Sequence, residues 1–274
     1  MGVSIEVVKQ LKERTGAGLM DCKKALEETG GDIERAIKIL RERGFSVAEK
    51  KAEREAKDGV VHIEVKGEKG IIIEVNCETD FVARNEEFKK FVKDLAEFIL
   101  SKGLLSQTEE TESMRKEAVM RFGENIVVKR WEIFSLTRGN TFDTYQHGEK
   151  LGVVVEGDIE KSDQEAVSLL HDITLQVAAM APQVVKSEEL DSSFVEEKKR
   201  EYTQEFISLG KPENIAEKAA LGKLSKLFSE ICLYDQPFIK DEKGEKKVKD
   251  VIEEYKKRSG KKFEIVKFYR FQIG

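Results

Sequence analysis

The first 45 residues place apolar side chains at the spacing of three short helices. Ser4 is a suitable N-cap for the first helix, and the glycine-containing residues 15–18 end it. A second helix is predicted at residues 19–29, with an inward stripe of Leu19, Cys22 and Leu26. Asp32 caps a third helix, which Gly44 is expected to end. Helices of this size form a small bundle that gains stability by docking on other surfaces.

Beyond residue 57 the apolar period changes from that of a helix to that of a strand. Residues 46–57, rich in alanine and charge, predict a solvated helical linker. Two alternating segments on either side of a Gly-Glu-Lys-Gly turn predict a β-hairpin with one buried face. The buried positions are expected to be Val61, Ile63, Val65, Ile71, Ile73, Val75 and Cys77. A strongly amphipathic helix is predicted at residues 86–102, with Gly103 as its end, and another near residues 112–122.

The same order of strands and helix then returns. Strand-like segments are found at about residues 126–136, 141–147 and 151–157, and a helix is predicted at residues 164–180. Two charged amphipathic helices follow within residues 194–228, separated by Gly210 and Pro212, which is typical of an antiparallel helical hairpin. Residues 262–273 alternate again and are expected to close a sheet.

These patterns predict an α+β fold with five parts. They are a three-helix domain at residues 1–45, the linker at 46–57, a core N-subdomain at 58–139, a core C-subdomain at 140–193 and 229–274, and the protruding helical hairpin at 194–228. The repeated order of elements predicts that the two core subdomains are related.

Composition and charge narrow the class of protein. The 48 basic and 53 acidic residues are interleaved and give a net charge of -5, so nothing favours nucleic acid or an anionic membrane as the main ligand. Cys22, Cys77 and Cys232 are far apart, which predicts three separate thiols in a reducing compartment. The amino terminus is charged by Glu6 and lacks a secretory signal, and no apolar run approaches a bilayer's thickness. We therefore expect a cytoplasmic protein without a membrane-spanning segment.

The motifs of nucleotide-binding and hydrolytic enzymes are absent from the sequence. It has no GxxxxGK[ST] loop, no GxGxxG turn, no HExxH and no GxSxG. Its three histidines, His62, His147 and His171, are too scattered to predict a shared metal site. We therefore expect no cofactor, no resident metal and no covalent chemistry, and a function that depends on binding another protein.

One segment, residues 75–85, stands out because it joins the end of a strand to the start of a helix. Side chains at such a corner project from a rigid scaffold. Asn85 is a suitable N-cap for the following helix, but capping does not explain Phe81. Periodicity alone favours a core position for Phe81, as an extension of the apolar stripe through Phe88 and Val92. The other interpretation places the ring outside, where it could contact a partner.

Six blocks of the sequence resemble bacterial elongation factor Ts. They are TGAGLMDCKKALEETGGDIERAIKILRERG at 15–44, EVNCETDFVARNEEF at 74–88, GENIVVKR at 123–130, YQHGEKLGVVV at 145–155, GKPENIAEK at 210–218 and EICLYDQPFIKD at 230–241. They span nearly the whole chain in the family's order. The resemblance implies that the three-helix domain is a ubiquitin-associated-like head. It also implies guanine-nucleotide exchange, by release of GDP from elongation factor Tu during translation elongation.

The resemblance also implies which residues carry this function. The family's turn that enters the partner beside its magnesium site falls on Thr79, Asp80, Phe81 and Val82. Leu19, Met20 and the helical hairpin are the best candidates for further partner contacts. Gln176 is another possible contact, and it stands where many relatives carry a histidine in the core helix. Glutamine keeps the ability to donate and accept hydrogen bonds. We expect this protein to lack the additional C-terminal helical module of some relatives, because the resemblance ends soon after Phe271.

Other functions stay open at this point. The head could make the chain a passive adaptor that binds a protein without accelerating nucleotide release, and scattered carboxylates could serve an uncharacterised hydrolase. For Leu19 and Met20 the competing interpretation is ordinary helix core, and for the hairpin it is a solvated stalk. Monomer and homodimer are both open.

Overall fold

The computed structural model describes residues 3–137 and 140–274, and it confirms a mixed α+β fold with two three-stranded sheets. The chain forms two compact units. One comprises the residues up to Ser135 together with His147–Leu151 and Phe271–Gly274. The other comprises Leu136–Gln146 and Gly152–Arg270. The finer division into head, linker, subdomains and hairpin stays a prediction.

The first unit begins with the three predicted helices: α1 (Ile5–Thr15), α2 (Leu19–Glu28) and α3 (Ile33–Lys51). Ser4 and Asp32 cap α1 and α3 as expected, because each side chain accepts a hydrogen bond from a backbone amide in the first turn. Their common core is fully apolar and consists of Val8, Leu11, Ala17, Cys22, Ala25, Leu26, Ala36 and Leu40.

Two predictions for this bundle are wrong. Leu19, expected to point inward, is half exposed, and Ala25 joins Cys22 and Leu26 in the core instead. Gly44 does not end α3, which continues to Lys51. A Cβ atom at Gly44 would lie 2.8 Å from the Met120 sulfur, so this glycine lets α3 approach another helix closely. Tertiary packing thus overrides the local helix-ending signal, and the predicted linker helix is the end of α3 followed by a turn and an irregular segment.

The predicted hairpin is present as β1 (Asp58–Lys66) and β2 (Lys69–Cys77), and β3 (Val127–Ser135) pairs with the other edge of β2. Both pairings are antiparallel. The repeated order of elements groups β3 with the second set of strands, although the predicted N-subdomain at residues 58–139 contains it. In the structure β3 completes the first sheet. In both sheets, therefore, the middle strand is the second of a hairpin, and the third strand arrives after intervening helices.

The expectation of a single buried face is wrong for this hairpin. β2 is buried on both faces from Gly70 to Cys77. In β1, Val61 is buried as predicted, but Val60 takes its place in the main core cluster, and Val65 is 42% exposed. The cause is the register of β1 with β2, which places His62 opposite the core residue Ile73 and so on the buried side of the sheet. His62 is half-buried, and its Nε2 atom lies 3.3 Å from a Glu64 carboxylate oxygen. Burial lowers the pKa of His62 below its ordinary value.

Three helices connect β2 to β3: α4 (Asp80–Ala83), α5 (Glu86–Lys102) and α6 (Glu109–Phe122). The bounds of α5, its N-cap Asn85 and its left-handed C-cap Gly103 match the prediction. α5 buries Phe88, Val92, Leu95, Ala96 and Ile99 against the sheet. Phe88 also meets Phe122 edge to face, with ring centroids 5.4 Å apart.

The second unit contains most of a sheet with the order β4 (Thr141–His147), β5 (Leu151–Ile159) and β6 (Phe263–Gln272). The predicted core helix is α7 (Gln164–Met180), and the predicted helical hairpin is α8 (Ser192–Ser208) with α9 (Glu213–Ile231). Short 3-10 turns lie at Ser187–Glu189 and Leu233–Asp235. A last helix, α10 (Val248–Ser259), was not predicted; it buries Val248, Ile252 and Tyr255.

Candidate functional site

The corner between β2 and α5 turns one aromatic ring away from the protein. β2 ends at Cys77, and α4 starts three residues later. Ala83 is buried and Val82 packs against the core cluster, whereas 83% of Phe81 is exposed. The core interpretation of Phe81 is therefore wrong, because the inward positions of this short turn are occupied by Val82 and Ala83.

Asp80 lies beside this ring and is also accessible. Its carboxylate forms an ion pair with Arg84 one helical turn later, at 3.2 Å, and 42% of its side chain is exposed. An ion pair this exposed contributes little to stability. Asp80 can therefore exchange Arg84 for another polar group at small cost.

Glu124, in the loop after α6, anchors the corner through hydrogen bonds. One oxygen of its carboxylate accepts hydrogen bonds from the backbone amides of Glu78 and Thr79, at 2.9 and 3.0 Å. Its other oxygen accepts a hydrogen bond from the Thr79 hydroxyl at 2.5 Å. The same hydroxyl accepts a hydrogen bond from the Val82 amide at 3.4 Å and so caps α4.

A reciprocal contact ties the same two loops together. Glu78 accepts a hydrogen bond from the Asn125 backbone amide at 2.6 Å. Cys77 donates its thiol proton to the Thr79 carbonyl at 3.2 Å. Burial raises the pKa of the Cys77 thiol to about 12, so this thiol stays neutral and acts as a hydrogen-bond donor.

The bundle of α1, α2 and α3 displays two exposed apolar side chains. Leu19 and Met20, at the start of α2, are 50% and 60% exposed. The interpretation of both as helix core is therefore wrong. Leu19 also lines a cavity of about 900 Å³ within the first unit, together with Phe91, Phe122 and Arg121.

Gln176, the third implied contact, is completely buried in the second unit. Its amide nitrogen donates to the Gln236 side-chain oxygen and the Pro237 carbonyl, both at 3.1 Å. Its oxygen accepts a hydrogen bond from the Ile239 amide at 2.8 Å. All of its polar atoms are thus engaged inside the protein, where they bind residues 236–239 to α7.

The positions of the candidate metal ligands and of the three thiols can be stated for the described residues. Within residues 3–137 and 140–274 there is no group of three or more His, Cys, Asp or Glu side chains that could hold a metal ion. Cys22, Cys77 and Cys232 are separate, buried thiols, as predicted. Burial also raises the pKa of Cys232 to about 11. In the same parts of the chain, no helix has the length and apolarity needed to cross a membrane.

Comparison with known proteins agrees with the resemblance seen in the sequence. The family model described as elongation factor TS matches residues 78–274. Elongation factor Ts of Aquifex aeolicus is 42% identical, over 100% of this chain and 99% of the relative. The elongation factors Ts of Prosthecochloris aestuarii and Clostridium perfringens strain SM101 are each 38% identical over 99% of this chain. The matches span 99% and 93% of these two relatives, respectively. These matches show that the chain is a translation elongation factor. Within that class, the chain belongs to the elongation factor Ts family.

Glu124 is the residue of this site that sequence reasoning missed. It lies in one of the blocks that resemble the family, but nothing in its local pattern connects it to a corner 45 residues earlier. The only available signal was its place directly after Gly123, which ends α6.

Proposed function

We propose that this protein promotes release of GDP from elongation factor Tu, and that it does so by inserting residues 79–82 beside the partner's magnesium site. The observation that carries the proposal is the 83% exposure of Phe81 on an anchored corner, in a chain of the elongation factor Ts family. A large apolar side chain that is held in place at the surface can serve as an anchor at a protein interface.

The exchange itself requires no covalent chemistry from this chain. A GTPase holds GDP through backbone amides of its phosphate loop and a magnesium ion. A factor that favours the state in which these contacts are displaced weakens nucleotide binding, and the nucleotide weakens binding of the factor by the same ratio. In this proposal Phe81 enters an apolar pocket of the partner, while Asp80 perturbs the polar groups around the magnesium ion.

The energy available from one ring limits what it can do alone. Complete burial of a phenylalanine side chain contributes about 1.5–3 kcal/mol. Each 1.4 kcal/mol or so changes a rate tenfold, so Phe81 accounts for roughly ten- to hundredfold acceleration. A larger effect needs other contacts, and the best candidates are the exposed Leu19 and Met20 of the head and the helical hairpin. Acting in translation elongation, the protein would work in the cytoplasm.

The test is release of a fluorescent GDP analogue from elongation factor Tu, measured by stopped flow with and without the factor. We expect Phe81→Ala to lower the acceleration by ten- to hundredfold. Leu105→Ala is a matched control, because Leu105 is 85% exposed in the same unit but lies away from the corner. It should leave the rate unchanged.

Two outcomes would contradict the proposal. If the wild type binds elongation factor Tu without faster release, the chain is an adaptor and not an exchange factor. If folded Phe81→Ala matches the wild type, exchange does not depend on the ring.

A further inference from the structure

The helix that carries Phe81 cannot hold its own shape. α4 has four residues, Asp80–Ala83. The first turn of a helix fixes several backbone angles in exchange for one hydrogen bond, so an isolated turn is unstable in water. Packing of Val82 and Ala83 anchors the side of this turn that faces the core. The approach from β2 must be fixed by other contacts.

Glu124 supplies those contacts at the point where the strand becomes the turn. Its carboxylate binds the two successive amides of Glu78 and Thr79 and the Thr79 hydroxyl, all between 2.5 and 3.0 Å. Hydrogen bonds to an ionised carboxylate are shorter and stronger than those between neutral groups. Thr79, positioned in this way, caps α4 through the Val82 amide. One side chain thus fixes both the direction of the chain and the start of the helix.

The loop that carries Glu124 is itself anchored. The Asn125 side-chain nitrogen donates to the carbonyls of Ala52 and Arg54, at 3.4 and 2.7 Å, and these residues follow the end of α3. The Gly123 carbonyl accepts a hydrogen bond from the Lys51 ammonium. The loop that carries Glu124 is therefore fixed to the residues at the end of α3. This anchoring lets Glu124 hold the corner in one position.

We propose that Glu124 is a positioning residue for nucleotide exchange, which holds residues 78–82 in the geometry from which Phe81 enters the partner. This inference rests on the proposed function of the corner. A side chain that is correctly placed only part of the time lowers apparent binding by that fraction. If loss of Glu124 leaves the corner in the binding geometry about one tenth of the time, exchange at low factor concentration falls about tenfold.

The variants separate this effect from general damage. Glu124→Ala removes all three hydrogen bonds and should slow exchange about tenfold. In Glu124→Gln the amide oxygen can still accept both backbone amides, so we expect a loss of at most about threefold. Glu112→Ala is the matched control: it breaks the contacts of Glu112 with Arg115, at 2.6 and 2.7 Å, in the same unit. It should leave exchange unchanged.

A double-mutant cycle with Phe81→Ala tests whether Glu124 acts through the ring. We expect Glu124→Ala to slow exchange less when residue 81 is alanine, because only the contribution of Asp80 then depends on the position of the corner. Equal slowing in both backgrounds, no slowing by Glu124→Ala alone, or the same slowing by Glu112→Ala would each overturn the proposal.

Backbone hydrogen exchange of the free protein gives a readout independent of activity. The amides of Glu78, Thr79 and Val82 should lose protection in Glu124→Ala and keep it in Glu112→Ala. Unchanged protection of these amides would overturn the proposal even if Glu124→Ala slowed GDP release. If Phe81→Ala alone has no effect on GDP release, the proposed function of the corner fails. The protection of these amides then still shows whether Glu124 holds the corner in place. Should Glu124→Ala not fold, Thr79→Val, which removes the hydroxyl contact, is expected to slow exchange about threefold, and no slowing would overturn the proposal.

Discussion

Replacing Gln176 with leucine tests whether this residue is structural or contacts a partner. Gln176 is fully buried in α7, and its side chain forms three hydrogen bonds to residues 236–239. Leucine has a similar volume but no polar atoms. The change therefore removes the hydrogen bonds without leaving a large cavity.

The expected cost follows from these contacts. Three neutral hydrogen bonds contribute about 1.5–4.5 kcal/mol in all, and the Gln236 side-chain oxygen is left without its buried donor. Pro237 and Ile239 are more exposed, so water can replace the partner that each loses. Greater apolar burial of leucine offsets about 1 kcal/mol. We expect Gln176→Leu to lower the free energy of unfolding by about 2 kcal/mol.

Denaturant unfolding measures this, with circular dichroism for the helices of both units. The single tryptophan, Trp131, lies in the first unit, so its fluorescence is an internal control that should change little. Gln164→Leu, at an exposed position of the same helix, should be nearly neutral. Where the protein stays folded, exchange should match that of the wild type. Stability within 0.5 kcal/mol of wild type, together with slower GDP release, would refute this reasoning and favour a partner contact.

Two further changes test the fold at single positions. Gly59 has φ +152°, and a Cβ atom there would lie 2.3 Å from the Val75 carbonyl oxygen. Gly59→Ala should therefore lower the free energy of unfolding by about 3 kcal/mol. A melting temperature of the variant equal to that of the wild type would contradict this. Hydrogen bonds from Lys261 and Tyr255 lower the pKa of Asp163 to about 2, so its charged form stabilises the folded state above pH 4, and that contribution is lost as the pH falls from about 4 to 2. The stability difference between wild type and Asp163→Asn should shrink over that interval, and a difference independent of pH would show that these contacts do not act through charge.

The elements that the sequence predicted best are those whose signals are local. α5 and α7 begin and end where predicted, because a cap residue, an apolar stripe and a glycine or change of period all lie within one segment. The turn between α8 and α9 was predicted from Gly210 and Pro212 for the same reason. α10 was missed although it carries an apolar stripe, since charged residues surround Val248, Ile252 and Tyr255.

Packing overrode local signals at several positions. Gly44 has the sequence signature of a helix end, but it lies inside α3 where another helix approaches. β1 alternates in sequence as if one face were buried, whereas its register with β2 places half-buried His62 opposite Ile73. Such outcomes depend on neighbours that are distant in the chain, and a local pattern contains no record of them.

The sequence by itself determined most of the long helices, the β-hairpin, the α+β class and, through its resemblance, the residues of the corner. Only the tertiary structure decided that Phe81 faces outward, because Val82 and Ala83 take the places in the core that periodicity would assign to the ring. Only the tertiary structure brought Glu124 to Thr79 and Gln176 to Gln236. A side chain's solvent exposure and its hydrogen-bond partners depend on which segments fold against it, and that is a property of the whole chain.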